Sequence, residues 1–269
     1  MNAPRRVRLG AVSYLNSRPL TCGLDQDDLF EVHYGVPSAC AEDLAAGRID
    51  VGMIPIVEYA RRSPGLLIVP DLAIGSRGEV LTVRLFCRGR LDRVRRVAAD
   101  TSSRTSVVLL QLLLRERYGV DPEIAAAPPD LDTMLHGADA ALLIGDPVLP
   151  LVGTGRDTGL SSLDLGREWL ELTGRPCVFA FWAGREGAVD AEHVTRLQRA
   201  RREGVAHITE IAAGFQREHA GSAVLYEGYL RDHICYDLGS AQVAGLDEFY
   251  RLAHRHGLIE SVPGLRFYP

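Results

Sequence analysis

Short apolar runs of strand length recur along this chain, and several are followed by segments with helical spacing. Val7–Val12, Phe30–Tyr34 and Ile49–Ile54 open the series, and Leu66–Val69, Val80–Cys87, Val97–Ala99, Ala140–Ile144 and Cys177–Trp182 continue it. Between the second and third runs, Cys40, Ala41, Leu44 and Ala45 fall on one helical face, with Ser38 placed as N-cap and Gly47 as the stop. Val107–Tyr118 has the strongest helical pattern in the chain. Strands alternating with helices of this length imply βαβ units and a mainly parallel sheet.

A charged stretch, Arg88–Arg96, separates a first cycle of these units from a second. Beyond Ala191 the pattern becomes helical, over Val194–Phe215 and again over Ala241–His256, stopping at Gly257. The expectation is an α/β protein of the type II periplasmic-binding-protein kind. One lobe is formed by residues 1–88 with 185–269 and the other by 89–184, with a ligand cleft between them. In open α/β sheets the ligand lies at the carboxyl ends of the strands, so the loops that follow strands are where chemistry is sought.

The 269 residues suffice for two lobes with proper cores. A net charge of −5, with arginines dispersed among acids, argues against a nucleic-acid binder. No apolar stretch is long enough to span a bilayer, and Met1–Arg6 runs into the first strand without the apolar core of a leader, which points to a cytoplasmic protein. The five cysteines, Cys22, Cys40, Cys87, Cys177 and Cys235, are scattered and form no C-x-x-C, so neither a zinc site nor a disulfide framework is expected. The eight histidines do not cluster, and no phosphate loop, dinucleotide fingerprint, nucleophile elbow or H-E-x-x-H occurs. The reading is of a protein without metal or cofactor.

Five segments can carry chemistry. Ser103-Arg104-Thr105-Ser106 lies where a strand gives way to the long helix, whose first N–H groups and dipole suit an anion. An ordinary hydroxyl N-cap explains one such residue, and an anion cradle explains the group. Ser13-Tyr14-Leu15-Asn16 follows the first strand, and Asn16 can both donate and accept. An Asx turn is the plainer use of that asparagine. In Met53-Ile54-Pro55-Ile56-Val57-Glu58, Pro55 directs the next amides, while Glu58 reads as a helix-start acid. Last come Gly78–Thr82 and Gly145-Asp146-Pro147, where Asp146 is either a ligand carboxylate or a turn starter.

Taken in order and spacing, these segments resemble the MqnA family of the futalosine route to menaquinone. The match is carried by Gly10–Leu20, Gly47–Pro55, Asp100–Ser106, Leu143–Asp146, Asp164–Trp169 and Thr173–Pro176 followed by Phe179. The resemblance implies a chorismate dehydratase, a carbon–oxygen lyase acting on a small dicarboxylate, with chorismate giving 3-[(1-carboxyvinyl)oxy]benzoate. It places Asn16 nearest the reacting ring, Thr105 and Ser106 on a carboxylate, Ile56 among amides that face ligand, and Thr82 where many relatives carry serine. Asn16 is the expected catalytic residue, and Ile56, Thr82, Thr105 and Ser106 with Ser13, Ser103, Arg104 and Asp146 make up the expected substrate-binding set. A sister family, the 1,4-dihydroxy-6-naphthoate synthases, shares the fold but has a Ser-Pro-Cys-Pro-Asn-Asp first loop and a histidine in an Ile-His-Glu run. Here the latter stretch is Ile144-Gly145-Asp146. A non-catalytic sensor of a small carboxylate is the alternative from another class.

Overall fold

The computed structural model describes residues 6–153 and 159–269, so the Met1–Arg5 start lies outside the described residues. Among the described residues, ten strands form two five-stranded sheets. They are β1 (Val7–Val12), β2 (Phe30–Gly35), β3 (Val51–Pro55), β4 (Leu66–Ser76), β5 (Val83–Cys87), β6 (Arg96–Asp100), β7 (Glu123–Ala127), β8 (Ala140–Ile144), β9 (Ser161–Asp164) and β10 (Cys177–Arg185).

The first sheet runs β2-β1-β3-β10-β4 and the second β7-β6-β8-β5-β9. In each, three strands are parallel, because a helix carries the chain back between them. The fourth strand, β10 in the first sheet and β5 in the second, runs antiparallel to its neighbours on both sides, so the fifth, β4 or β9, runs with the first three. The mainly parallel expectation is therefore corrected to mixed sheets. The two sheets share one topology, with the fourth place taken by the strand that arrives just after the chain crosses over. The crossings consequently lie between β4 and β5 and just before β10, not near 88 and 184. Strand 83–87 joins the second sheet and strand 177–185 returns to the first.

Local chemistry explains the element ends. The helix Pro37–Ala45 begins one residue before Ser38, with Val36 as its N-cap, because Pro37 presets φ and lacks the N–H that a first-turn residue would leave unbonded. The expected helix over 194–215 is two, Ala191–Ala206 and Ile208–Glu218, broken at His207. Asp190 caps the first, accepting from the Glu192 and His193 amides.

The parallel strands β3 and β8 are buried at every position, as expected for strands covered on both faces. One apolar cluster runs from Leu9 and Met53 in the first sheet to Leu85 and Leu142 in the second, and includes Trp169 and Trp182. A smaller cluster around Phe86, Met134 and Leu143 fills the far side of the second sheet. The carboxyl ends of β1, β3, β6 and β8 converge on the space between the lobes.

Candidate active site

The cleft opens between the two lobes, with about 540 Å³ of atom-free space when its open mouth is counted. Its second-lobe wall is the stretch from Ser102 to Ser106. Its first-lobe wall carries Tyr14, Asn16, Pro55 and, from β10, Phe179.

The helix Thr105–Leu113 starts at this wall with no side chain capping its end. Its first amides and the positive end of its dipole are thus available to an anion. The hydroxyl of Ser103 is buried without a hydrogen-bond partner. So is Oδ1 of Asn16. A buried polar atom left unpaired costs free energy, commonly about 1–3 kcal/mol, unless a ligand or water meets it. Two such atoms in one cleft mark where a ligand's polar groups fit.

The other hydroxyls in the wall are already engaged. Thr105 Oγ1 donates to the carbonyl of Phe179 at 3.0 Å, which ties the helix start to β10 of the other lobe. Tyr14 donates to Ser102 Oγ at 2.9 Å, and Ser102 donates in turn to Asp100 Oδ1 at 2.6 Å. Burial, with Asp100 and Asp146 nearby, pushes the Tyr14 hydroxyl up to about 12 despite its bond to Ser102. It therefore stays protonated and cannot serve as a base. Arg104 points across the cleft edge to Glu42, at 2.6 Å, and approaches Glu58 at 3.8 Å. Burial raises the Glu58 carboxyl, but Arg61 and Arg62, each at 2.7 Å, outweigh that and leave it below its ordinary value. Glu58 is thus an ion-pair anchor.

Of the nine expected residues, Asn16, Ser103, Arg104, Thr105 and Ser106 line the cleft together. The other four do not form its wall. Ser13 is exposed, its amide bonded to Gly35 O at 2.9 Å on the outer side of the loop. Ile56 is buried behind Pro55, and its carbonyl accepts from Tyr250 at 2.8 Å. Thr82 is fully buried, and its hydroxyl meets Tyr229 OH at 2.7 Å. Tyr229 in turn has the Asn16 side chain as a hydrogen-bonding neighbour, so Thr82 stands one residue behind the cleft. Asp146 turns away from the cleft, and both of its oxygens accept from the Leu15 amide, at 2.9 and 3.1 Å.

Sequence reading missed two contributors. Tyr14 was part of a named loop, but nothing local shows that its hydroxyl reaches Ser102. Tyr229 lies in a C-terminal segment with no motif. Among the described residues, no group of three or more His, Cys, Asp or Glu could hold a metal ion. No helix there is long and apolar enough to cross a membrane.

Two sheets of this topology with an uncapped helix start and unpaired polar atoms between them define the class: a periplasmic-binding-protein-like fold built around an anion-suited cleft. A crystal structure of a protein from Archaeoglobus fulgidus superposes with a TM-score of 0.77 at 20% identity, covering 94% of this chain and 98% of that one. The periplasmic aliphatic sulphonate binding protein of Escherichia coli does so with a TM-score of 0.67 at 16% identity, covering 99% and 93%. Within that class, the chain belongs to the menaquinone biosynthesis family, whose model matches residues 7–255. It is 32% identical over 236 residues to a protein of Thermus thermophilus named chorismate dehydratase, which spans 82% of this chain and 86% of that one.

Proposed function

We propose that this protein is a hydro-lyase that eliminates water from chorismate to give 3-[(1-carboxyvinyl)oxy]benzoate, as a step toward menaquinone. The reading is carried by the paired vacancies in hydrogen bonding at Asn16 Oδ1 and Ser103 Oγ, set beside an uncapped helix start. Chorismate is a dicarboxylate with a ring hydroxyl. Its ring carboxylate suits the helix start and Ser103, while Asn16 Oδ1 suits the hydroxyl as an acceptor without a charge. The family match and the Thermus relative support the same assignment.

The elimination breaks the C3–H bond, forms the C3=C4 double bond from that pair and breaks C4–O, the departing oxygen leaving as water. Aromatisation drives it. The C3 proton is acidic through conjugation to the ring carboxylate, so donors on that carboxylate stabilise the developing charge. Among the described residues, the ionisable side chains in the wall are Tyr14, which stays protonated, and Arg104, a permanent cation. The substrate's own enolpyruvyl carboxylate is therefore the base in this reading. Asn16 holds the ring or the leaving hydroxyl, and the closed lobes exclude water.

The test is to mix the purified protein with chorismate and resolve products by chromatography and mass spectrometry. An aromatic product that has lost water supports the lyase. Saturable binding without product supports instead a cytoplasmic sensor built on the same fold.

A further inference from the structure

We propose that Asp146 is a positioning residue, gripping the Leu15 amide from the opposite lobe and so holding Asn16 in place in the closed molecule. The proposal rests on the preceding reading for the role of Asn16, and on geometry for the grip itself. Asp146 starts the short turn Asp146–Val148 at the end of β8, in the second sheet. Leu15 follows β1, in the first. The two carboxylate oxygens at 2.9 and 3.1 Å from one amide form a forked bond across the lobe boundary.

Three consecutive residues then divide the work. Tyr14 is held by its side chain on Ser102 and Leu15 by its backbone on Asp146, both in the second lobe. Asn16 comes next, lining the cleft, with its buried Oδ1 unpartnered. Inside the first lobe, the loop is fixed at its ends, by Ser13 N on Gly35 O at 2.9 Å and by Ser17 Oγ on Tyr14 O at 2.8 Å. Tyr229, also of the first lobe, neighbours the Asn16 side chain, and the other lobe holds the Tyr14 hydroxyl and the Leu15 amide just before it. Closing the lobes therefore completes the site, which links substrate enclosure to the setting of Asn16.

Asp146 is also an expensive residue to keep there. Burial is the main influence on its carboxyl and raises it from 3.8 to about 6, against the opposing effects of the Leu15 amide, His219 and Arg18. Tyr14, Tyr226 and Tyr229 also face this charge. A turn-starting aspartate alone needs no such burial; a grip on the facing loop does.

The experiment uses Asp146→Ala, Asp146→Asn and Asp146→Glu in the full chain, with two readouts. Amide hydrogen exchange over residues 13–17 reports the grip without needing turnover. Steady-state kinetics with chorismate report its consequence. Asp146→Ala is expected to speed exchange in 13–17 by about tenfold or more and to lower kcat by about tenfold to a hundredfold, with a smaller change in KM. Asp146→Asn keeps an acceptor oxygen and should restore both to within about threefold. Asp146→Glu shifts the oxygens by a methylene and should fold yet lose kcat, which keeps the test open where the alanine variant does not fold. Unchanged exchange at 13–17, or an asparagine variant as impaired as the alanine one, overturns the proposal. A wild-type protein that converts no chorismate defeats the dehydratase reading instead, and the exchange result then decides the grip alone.

Discussion

The ring of Tyr14 lies flush against Gly145, so close that a Cβ on residue 145 would stand 2.5 Å from Tyr14 Cδ2 and 2.6 Å from Cε2. Gly145 also has φ +68, in the left-handed region that favours glycine. The two residues come from opposite lobes, and the Tyr14 hydroxyl is bonded beyond them to Ser102. The glycine is thus the space into which the first lobe's loop closes. A larger side chain at 145 is one this packing cannot admit.

Gly145→Ala should hold the lobes apart and lower kcat/KM by about a hundredfold, the scale expected when reacting groups are misplaced by about an ångström. Adding Tyr14→Ala should relieve the clash, so the double variant should lose less than the product of the two single losses. Kinetics on the four proteins of this cycle measure that coupling.

Ser103 and Thr105 should separate binding from stability. Ser103 Oγ has no protein partner, so Ser103→Ala should raise KM for chorismate by roughly tenfold while leaving the melting temperature unchanged. Thr105 Oγ1 satisfies the Phe179 carbonyl, so Thr105→Val strands a buried acceptor and should destabilise by about 1–3 kcal/mol. Thermal unfolding beside a KM series distinguishes them.

The buried Asp146 carboxyl predicts a pH dependence. Its folded value is raised from 3.8 to about 6, so the protonated form is the one that folding favours. The associated stability is fully present below about pH 3.8 and is lost as pH rises through about 6, costing up to about 3 kcal/mol above it. Asp146→Asn removes the charge and keeps an acceptor, so it should melt about 5 °C higher than wild type at pH 8. The gap should close by about pH 4. Melting curves at several pH values check the sign, and a variant that melts lower at pH 8 contradicts it.

Much of the architecture is legible because β1, β3 and β8 are apolar almost throughout, and such runs have few places to go but a covered sheet. Pairing was not legible. Nothing in Val83–Cys87 states which sheet it joins, so the first crossing falls before residue 88, and residues 177–184 belong with the first sheet rather than with the second lobe. In the site, the Ser103–Ser106 helix start and Asn16 could be read from strand-end position and donor chemistry. The positions of Asp146, Thr82 and Ser13 could not, because side-chain direction at a loop depends on what packs opposite. Asp146 starts the turn that Asp-Pro suggests, and its carboxylate holds a backbone amide of the facing lobe, which no local pattern states. Tyr229 joins Thr82 to Asn16 through the fold alone, with no local pattern to announce it.

The most direct test compares wild type with Asn16→Ala, measuring chorismate binding by calorimetry and aromatic product by chromatography on the same samples. Wild type is expected to form 3-[(1-carboxyvinyl)oxy]benzoate. The variant is expected still to bind chorismate but to turn over at least about a hundredfold more slowly. Chorismate bound and recovered intact from wild type, or near-normal turnover by Asn16→Ala, would contradict these expectations.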